Sequence, residues 1–394
     1  MPINNISQIP KLKGKLVVVR LDVNVPLSGK KVLDDSRLRQ AVPTLRFLIN
    51  RGAYPIIVGH LGRPQGKVVS DLSLKPIGYA LGKIMRQPVK VLPLSFGSLA
   101  IKQAAKKNLI LLENIRFESG EDKNEPSLAK QLASLGDLYI NEAFSVCHRA
   151  AASLVAITKY LPSYAGLALS HEIDCLEQVI KKGTKPVVLL VGGAKIADKL
   201  PVIQKLLPRC QYILTAGAVA NTFLLARRRE VGRSLVDKKS LLAAKKILKK
   251  AGKKILLPSD ALVTKWPLST KQALVKSVTL VKKSEAIVDI GPQTIADYAV
   301  VLKKAKTIFW AGPLGLTEEI KWSHGTKSLA WLMQARSQGA RAYVVAGGGE
   351  TAAFLHQAKL SLNHISTAGS ALLDFLAGQT LPALKALGYL KSKK

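Results

Sequence analysis

At 394 residues the chain is longer than a single hydrophobic core usually supports, so two or three domains are expected. Hydrophobic residues make up 48%, enough to fill sizeable cores, but the longest apolar runs are strand-length and none approaches the ~20 residues of a membrane span. A formal charge of +35, from 60 Lys+Arg against 25 Asp+Glu, predicts attraction to anions without choosing among phosphorylated metabolites, nucleic acid and anionic lipid.

The opening stretch MPINNISQIPKLKGK has neither the basic and apolar regions of a signal peptide nor the Arg/Ser-rich pattern of a transit peptide, so a cytoplasmic protein is expected. Cys147, Cys175 and Cys210 lack metal-ligand spacing and are odd in number, which reads as reduced thiols. Much of the positive charge falls in lysine pairs beside apolar residues, as in SLLAAKKILKKAGKKILL, the pattern of the wet face of amphipathic helices. With aromatics at 5% and no recognisable binding module, no dedicated nucleic-acid partner is expected.

In chain order, strand-like runs at 16–20, 54–58, 89–92, 109–113 and 138–141 alternate with helical stretches. Further runs follow at 187–191, 212–216, 254–257, 307–311 and 342–346. Strands alternating with helices imply parallel sheets of βαβ units, and this many strands fit an α/β protein of two doubly wound, Rossmann-like sheets. Ligands are then expected at the carboxyl ends of the strands.

In the first half those ends carry Arg20-Leu21-Asp22-Val23-Asn24, Gly59-His60-Leu61-Gly62-Arg63, Glu113-Asn114-Ile115-Arg116 and Cys147-His148-Arg149. With Arg37, this places Arg20, Arg37, His60, Arg63, Arg116 and Arg149 on loops that a parallel sheet gathers on one rim. Guanidinium forks suit bidentate contact with carboxylate and phosphate, so the rim suits a small, multiply anionic substrate; taken singly, each arginine reads as a surface salt bridge.

The second half is glycine-rich at its turns. Lys185 to Leu200, KPVVLLVGGAKIADKL, reads as a buried strand, a tight Gly192-Gly193 turn and a helix from near Ala194. Lys195 and Lys199 would then project from one face near a helix N-terminus, where backbone N–H groups already favour phosphate, though lysines at this spacing are also an ordinary solvated face. Neither a P-loop nor a G-x-G-x-x-G fingerprint occurs. Gly217-Ala218, Gly291-Pro292, Gly312-Pro313 and Gly347-Gly348-Gly349-Glu350-Thr351 add small residues that let a flat base and a polyphosphate approach the backbone, with a carboxylate placed for a metal.

Taken together the loops resemble phosphoglycerate kinases from about residue 15 to 378, through VRLDVNVP, SRLRQAVPT, GHLGRP, LLENIRF, YINEAF with CHRA, LLVGGAKIADK, GPQT, WAGPLG with Glu318, GGGET and HISTAG. The resemblance implies reversible phosphoryl transfer between 1,3-bisphosphoglycerate with ADP and 3-phosphoglycerate with ATP, in glycolysis. It assigns Asp22, Asn24, Arg37, His60, Arg63, Arg116 and Arg149 to 3-phosphoglycerate, and Lys195, Lys199, Glu318, Gly348, Gly349, Glu350 and Thr351 to the nucleotide. Glu318 is implied to hold the ribose and Glu350 to sit beside Mg²⁺, while Arg37 and Lys199 bracket the transferring phosphoryl as catalytic residues. It further implies a 3-phosphoglycerate domain over 1–170, a nucleotide domain over 171–370, a hinge helix over 170–180, and a tail over 371–394 that returns to the first domain. Turnover would then involve domain closure, and a monomer without membrane association is expected. The chain departs from the family at Ala151, Ala152, Ala311, Glu350, Ala368 and Ser370, of which Ala311 forfeits a polar contact near the phosphates and Ala368 and Ser370 replace a glycine run. A competing expectation, from charge alone, is a divergent relative that binds RNA or DNA as a polyanion.

Overall fold

A run such as Val187–Val191, VVLLV, has no polar face to leave in water, so it is stable as a strand only where both faces of its sheet are covered. A computed structural model describes residues 3–269 and 273–389, and the chain divides into two compact units, Met1–Ile173 with Thr380–Lys394 and Asp174–Gln379. The last residues of the tail expected over 371–394, from 390 onward, lie outside the described residues. Each unit is built on a six-stranded parallel sheet.

The first unit runs β1 (Leu16–Arg20), a short hairpin β2 (Leu27–Ser28) and β3 (Lys31–Val32), α1 (Ser36–Asn50), β4 (Tyr54–Val58), α2 (Lys75–Met85), β5 (Val89–Leu92), α3 (Ser98–Ala105), β6 (Leu109–Leu112), α4 (Pro126–Ala133), β7 (Leu138–Asn141) and β8 (Ser163–Ala165). Its strands pair in parallel in the order β5-β6-β4-β1-β7-β8. Val17, Val19 and Ile57 of the central strands pack with Leu38, Leu45 and Leu48 of α1 and with Ile77 and Leu81 of α2, all fully buried. Each such side chain contributes about 1.5–3 kcal/mol relative to exposure.

Helix α5 (Leu167–Ile180) carries the chain from one unit to the other. It begins three residues before the expected 170 because the buried Glu142 carboxylate, from the end of β7, accepts the N–H groups of Ala168 (3.0 Å) and Leu169 (2.9 Å). That cap comes from a distant strand, and no local signal announces it.

The second unit runs β9 (Val187–Val191), α6 (Ile196–Leu206), β10 (Tyr212–Thr215), α7 (Gly217–Ala226), α8 (Leu241–Ala251), β11 (Ile255–Leu256), β12 (Asp260–Lys265), β13 (Leu274–Ser277), β14 (Glu285–Ile290), α9 (Pro292–Lys304), β15 (Thr307–Ala311), α10 (His324–Gln338), β16 (Tyr343–Gly347), α11 (Gly349–Gln357), β17 (His364–Ser366) and α12 (Ser370–Leu376). The final helix, α13 (Pro382–Ala386), belongs to the first unit. The sheet order is β11-β10-β9-β15-β16-β17, so the chain winds outward from β9 in one direction and from β15 in the other. The switch point, where such folds bind ligands, lies between the ends of β9 and β15.

Sequence periodicity overlooks the antiparallel sheet β13-β12-β14, which encloses a small core of Leu224, Val231, Ala261, Val263, Val278 and Val281. It also overlooks the three-residue edge strands β8 and β17. Helix α8 turns Ala244, Ile247 and Ala251 inward and leaves its lysine pairs in water, as the pattern predicts. The three cysteines are buried and none of them forms a disulfide. Among the described residues no helix is long and apolar enough to cross a membrane.

Candidate active site

In the first unit β1 lies between β4 and β7 with strand ends in register, Arg20 opposite Val58 and Asn141, so three loops leave the sheet side by side. They are tied together by side chains. Asp22 pairs with Arg37 at 3.1 Å and accepts the Ser145 hydroxyl, while Arg37 Nη1 also donates to the Asn24 carbonyl at 2.9 Å. Asn24 Oδ1 accepts Gly62 N–H at 3.0 Å, and Arg116 Nη1 donates to the Gly62 carbonyl at 2.7 Å. Asn114 stitches the neighbouring turns through Leu61 and Leu72 carbonyls at 2.7 and 2.9 Å. Asp22, Asn24, Arg37 and Arg116 are thereby tied together at the carboxyl end of the sheet.

His60 is buried, and its pKa is pushed well below the ordinary imidazole value, first by burial and then by the charges of Arg20, Arg116, Arg149 and Arg37. Burial, and then Arg149 and Arg20, lower the Arg116 guanidinium, against an opposing pull from Asp122 at 3.4 Å and from Glu121. Arg149 is half-buried at the end of this group. Arg63 differs: it is exposed and makes no hydrogen bond or ion pair among the described residues. Arg20 corrects the expectation of a rim arginine. It is the last residue of β1, 1% exposed, and its guanidinium is spent on Ser153 Oγ, Leu21 O and His60 Nδ1. A strand-terminal side chain alternates between faces, and this one points into the sheet's covering layer, a fact that position in sequence does not disclose.

In the second unit the Gly192-Gly193 turn leaves β9 beside the Gly312 turn at the end of β15. Gly192 N–H donates to Ala311 O at 2.9 Å and Gly193 N–H to Pro313 O at 2.6 Å. Glycine is required here: a Cβ on Gly312, whose φ is +90°, would lie 2.4 Å from the Gly192 carbonyl oxygen and 2.8 Å from Lys199 Nζ. Lys195 and Lys199, expected on one face near the helix N-terminus, both line the same cleft but differ in burial. Helix α6 starts at Ile196, so Lys195 is its exposed N-cap residue, whereas Lys199 is buried on the inner side and donates to the Gly192 carbonyl. Burial brings the Lys199 pKa down to about 8, partly offset by Glu350 and Asp198.

Across the turn, Gly348 with φ +106° caps α11, placing Gly349 and the exposed Glu350 in its first turn. Thr351 is fully buried and its hydroxyl accepts Gly312 N–H at 2.9 Å, so it also clamps the two turns to each other. Lys195, Asp198, Lys199, Gly348, Gly349 and Glu350 line one cleft, with Ala311 and Ser370 also on its wall. Ala311 is a buried strand end there, and Ala368 is buried behind the cleft, its N–H donating to Ser366 Oγ. Ala151 and Ala152 are likewise buried, so in the first unit they act as packing residues.

A larger cavity adjoins this cleft. Gly217, Ala218, Pro313 and Leu314 give it a flat backbone wall, Leu235 and Trp266 an apolar one, and Glu318 and Glu350 stand among its lining residues. Leu235 and Trp266 line this cavity without any signal in the sequence, whereas Asn221 and Asp289 fall in turns that the sequence already singled out. Trp266 ends the unpredicted antiparallel sheet, and only the small-residue run from Ala216 to Thr222 signalled this wall. Burial pushes the Asp289 carboxyl up to about 7, moderated by backbone N–H groups including Gly325 at 2.9 Å. Its carboxylate therefore braces the start of α10 and the Gly315 turn against the cavity, since a Cβ on Gly315 would meet Asp289 at 2.5 Å.

A glycine-walled cavity joined to a cleft with a buried lysine at the switch point of a doubly wound sheet is the kind of site that takes a nucleotide and its phosphates. The phosphoglycerate kinase profile matches residues 6–379. Phosphoglycerate kinase from Thermomicrobium roseum is 39% identical over 385 residues, covering 96% of this chain and 97% of its own, and that from Zymomonas mobilis is 40% identical over 395 residues, covering 98% and 100%. The solved structure of phosphoglycerate kinase from Coxiella burnetii matches with a TM-score of 0.86 at 36% identity over 98% of this chain and 99% of that one. The chain belongs to the phosphoglycerate kinase family, phosphotransferases with a carboxyl group as acceptor. The polyanion-binding alternative is not favoured.

Proposed function

We propose that the chain transfers the γ-phosphoryl of ATP to the carboxylate of 3-phosphoglycerate and, in reverse, from 1,3-bisphosphoglycerate to ADP, as a cytoplasmic and monomeric enzyme of glycolysis. In the forward direction a carboxylate oxygen attacks the γ-phosphorus, the bond to the bridging oxygen breaks, and ADP leaves with the electron pair. The acceptor is already an anion, so no catalytic base is required and the residues act by positioning and charge stabilisation. Asp22 and Asn24 hold the hydroxyl and carboxyl end of 3-phosphoglycerate, and His60, Arg63, Arg116 and Arg149 its phosphate. Lys195, Gly348, Gly349 and Thr351 hold the nucleotide phosphates and Glu318 the ribose. Arg37 and Lys199 stabilise the charge spread over the phosphoryl in flight. Each unit holds one reactant, so turnover requires the two half-sites to be brought together with water excluded.

The single observation that carries this reading is Lys199: a buried ammonium among Gly192, Gly193 and Gly312, under the pull of Asp198 and Glu350. Two carboxylates lining one cleft beside helix N-termini also suit a hard divalent cation shared with phosphate oxygens. Glu350, with Asp198 nearby, would hold Mg²⁺, which when bound neutralises the nucleotide's negative charge. The experiment is a coupled assay of the purified, nuclease-treated protein with 3-phosphoglycerate, ATP and Mg²⁺. ADP formation above background is expected; a folded preparation that turns over neither substrate and binds neither refutes the reading.

A further inference from the structure

Behind the arginine crevice of the first unit runs a buried polar chain that the proposed reaction does not use directly. Glu121, 1% exposed, accepts two hydrogen bonds from Ser153, one from its N–H at 2.9 Å and one from its hydroxyl at 2.6 Å. The hydroxyl's single proton is thus committed to Glu121, and its lone pairs accept from Arg20 Nε at 2.9 Å. Arg20 Nη1 donates to the Leu21 carbonyl at 2.5 Å, which leaves Nη2 facing His60 Nδ1 at 3.1 Å. Tyr139 anchors the chain from the far side by donating its hydroxyl to Ser153 O at 2.7 Å.

The direction of every bond in this chain follows from elementary chemistry. A guanidinium carries donors only, so the ring nitrogen that meets it must accept and carry no proton. The one proton of a neutral imidazole is then on Nε2, which has no hydrogen-bond partner among the described residues although the side chain is 2% exposed. The surroundings agree in sense: burial first, and then Arg20, Arg116, Arg149 and Arg37, all oppose a positive charge on the ring.

We propose that Glu121, Ser153 and Arg20 are positioning residues that fix His60 as the neutral Nε2–H tautomer, so that it meets an anionic substrate as a hydrogen-bond donor and not as a cation. The opposite tautomer would aim a lone pair at the anion, and an imidazolium would add a further buried charge to an already cationic crevice. Arg20 therefore acts on the substrate through His60, and the Glu121 carboxylate balances Arg20 across a hydroxyl bridge. The identity of the substrate, 3-phosphoglycerate, rests on the reading under Proposed function; the tautomer does not.

The test begins with the intact, ligand-free protein. Long-range proton–nitrogen correlations of ¹⁵N-labelled histidine rings, with His60 assigned by its loss in His60→Gln, are expected to show a neutral ring protonated on Nε2 at neutral pH. A proton on Nδ1, or an imidazolium, overturns the proposal, and this measurement needs no positioning variant to fold. Ser153→Ala removes the bridging hydroxyl and is expected to raise KM for 3-phosphoglycerate roughly tenfold, with KM for ATP unchanged and the His60 signal moved to mixed tautomers. Glu121→Gln keeps an acceptor for that hydroxyl, so the tautomer should persist with a smaller rise in KM. A Ser153→Ala protein with wild-type KM and wild-type tautomer removes Ser153 and Glu121 from the role. Wild-type protein that shows the expected tautomer yet does not bind 3-phosphoglycerate refutes the substrate assignment and leaves the tautomer assignment standing.

Discussion

The two candidate sites of this chain, one in each unit, are built by opposite means. In the first unit the crevice is made of side chains already bonded to one another: Arg37 to Asp22 and Asn24, Arg116 to Gly62, Arg20 to Ser153 and His60. In the second it is made of backbone turns, Gly192-Gly193, Gly312 and Gly348, around one buried ammonium. A small acid with three kinds of polar group is distinguished by directional donors held in place. A polyphosphate and a flat base need close approach, which only glycine and small residues permit. The first design places its energetic weight on many partners, and the second on a few residues that cannot be replaced.

That contrast is broken or sharpened by substitution, beginning with the largest effect. Lys199→Ala should lower kcat by about 10²–10³ while moving either KM much less, because in the proposed reaction it removes a charge aimed at the transition state. A kcat near wild type would show that the backbone turns suffice without the ammonium. Arg37→Ala is expected to behave similarly; a KM effect alone would place it with the binding residues.

Gly312→Ala follows. The new Cβ cannot avoid the Gly192 carbonyl or Lys199 Nζ, and a residue at φ +90° is strained in any case, so the loss should reach roughly 1–3 kcal/mol in denaturant unfolding and reduce turnover as well. Unchanged stability with unchanged turnover would mean the two turns separate freely.

The pH dependence probes the same ammonium. With the Lys199 pKa lowered to about 8, the charged form holds below that value and is lost as pH rises through it. kcat/KM for the nucleotide should therefore fall above about pH 8, and kcat, read with the polyphosphate bound, should fall only at higher pH. A flat kcat/KM from pH 7 to roughly 9.5 contradicts a depressed Lys199. The sign is the reverse of that for a depressed carboxylate, whose useful charge would appear as pH rises.

The smallest effect is expected at Arg63. It is exposed and unbonded among the described residues, so Arg63→Ala should change KM for 3-phosphoglycerate less than about fivefold, well below the effect of Arg116→Ala. Equal effects of the two would show that the crevice does not depend on prior bonding of its arginines.

The sequence by itself determined a good deal. Apolar runs such as Val187–Val191 cannot be left half in water, so parallel covered strands, and with them the placing of ligand loops at strand ends, followed from composition and period alone. The glycine turns were equally legible, because φ values such as those of Gly193, Gly312 and Gly348 exclude most other residues. The collinear motifs carried the family. Only the tertiary structure decided which charged residues are spent on contacts within the fold and which line the candidate site. Arg20 and Arg116 lie at similar strand ends in sequence and both are buried, yet Arg20 is spent on Ser153, Leu21 and His60 while Arg116 reaches the Gly62 carbonyl and Asp122. Lys195 and Lys199 share a turn of sequence, yet one is solvated and the other buried against Gly192. The cavity wall from Leu235 and Trp266 and the cap that Glu142 provides to α5 were also beyond reach, since each joins residues distant in the chain. A side chain's protonation, tautomer and partners depend on what is packed against it, and that is settled by contacts between segments and not by any segment's own pattern.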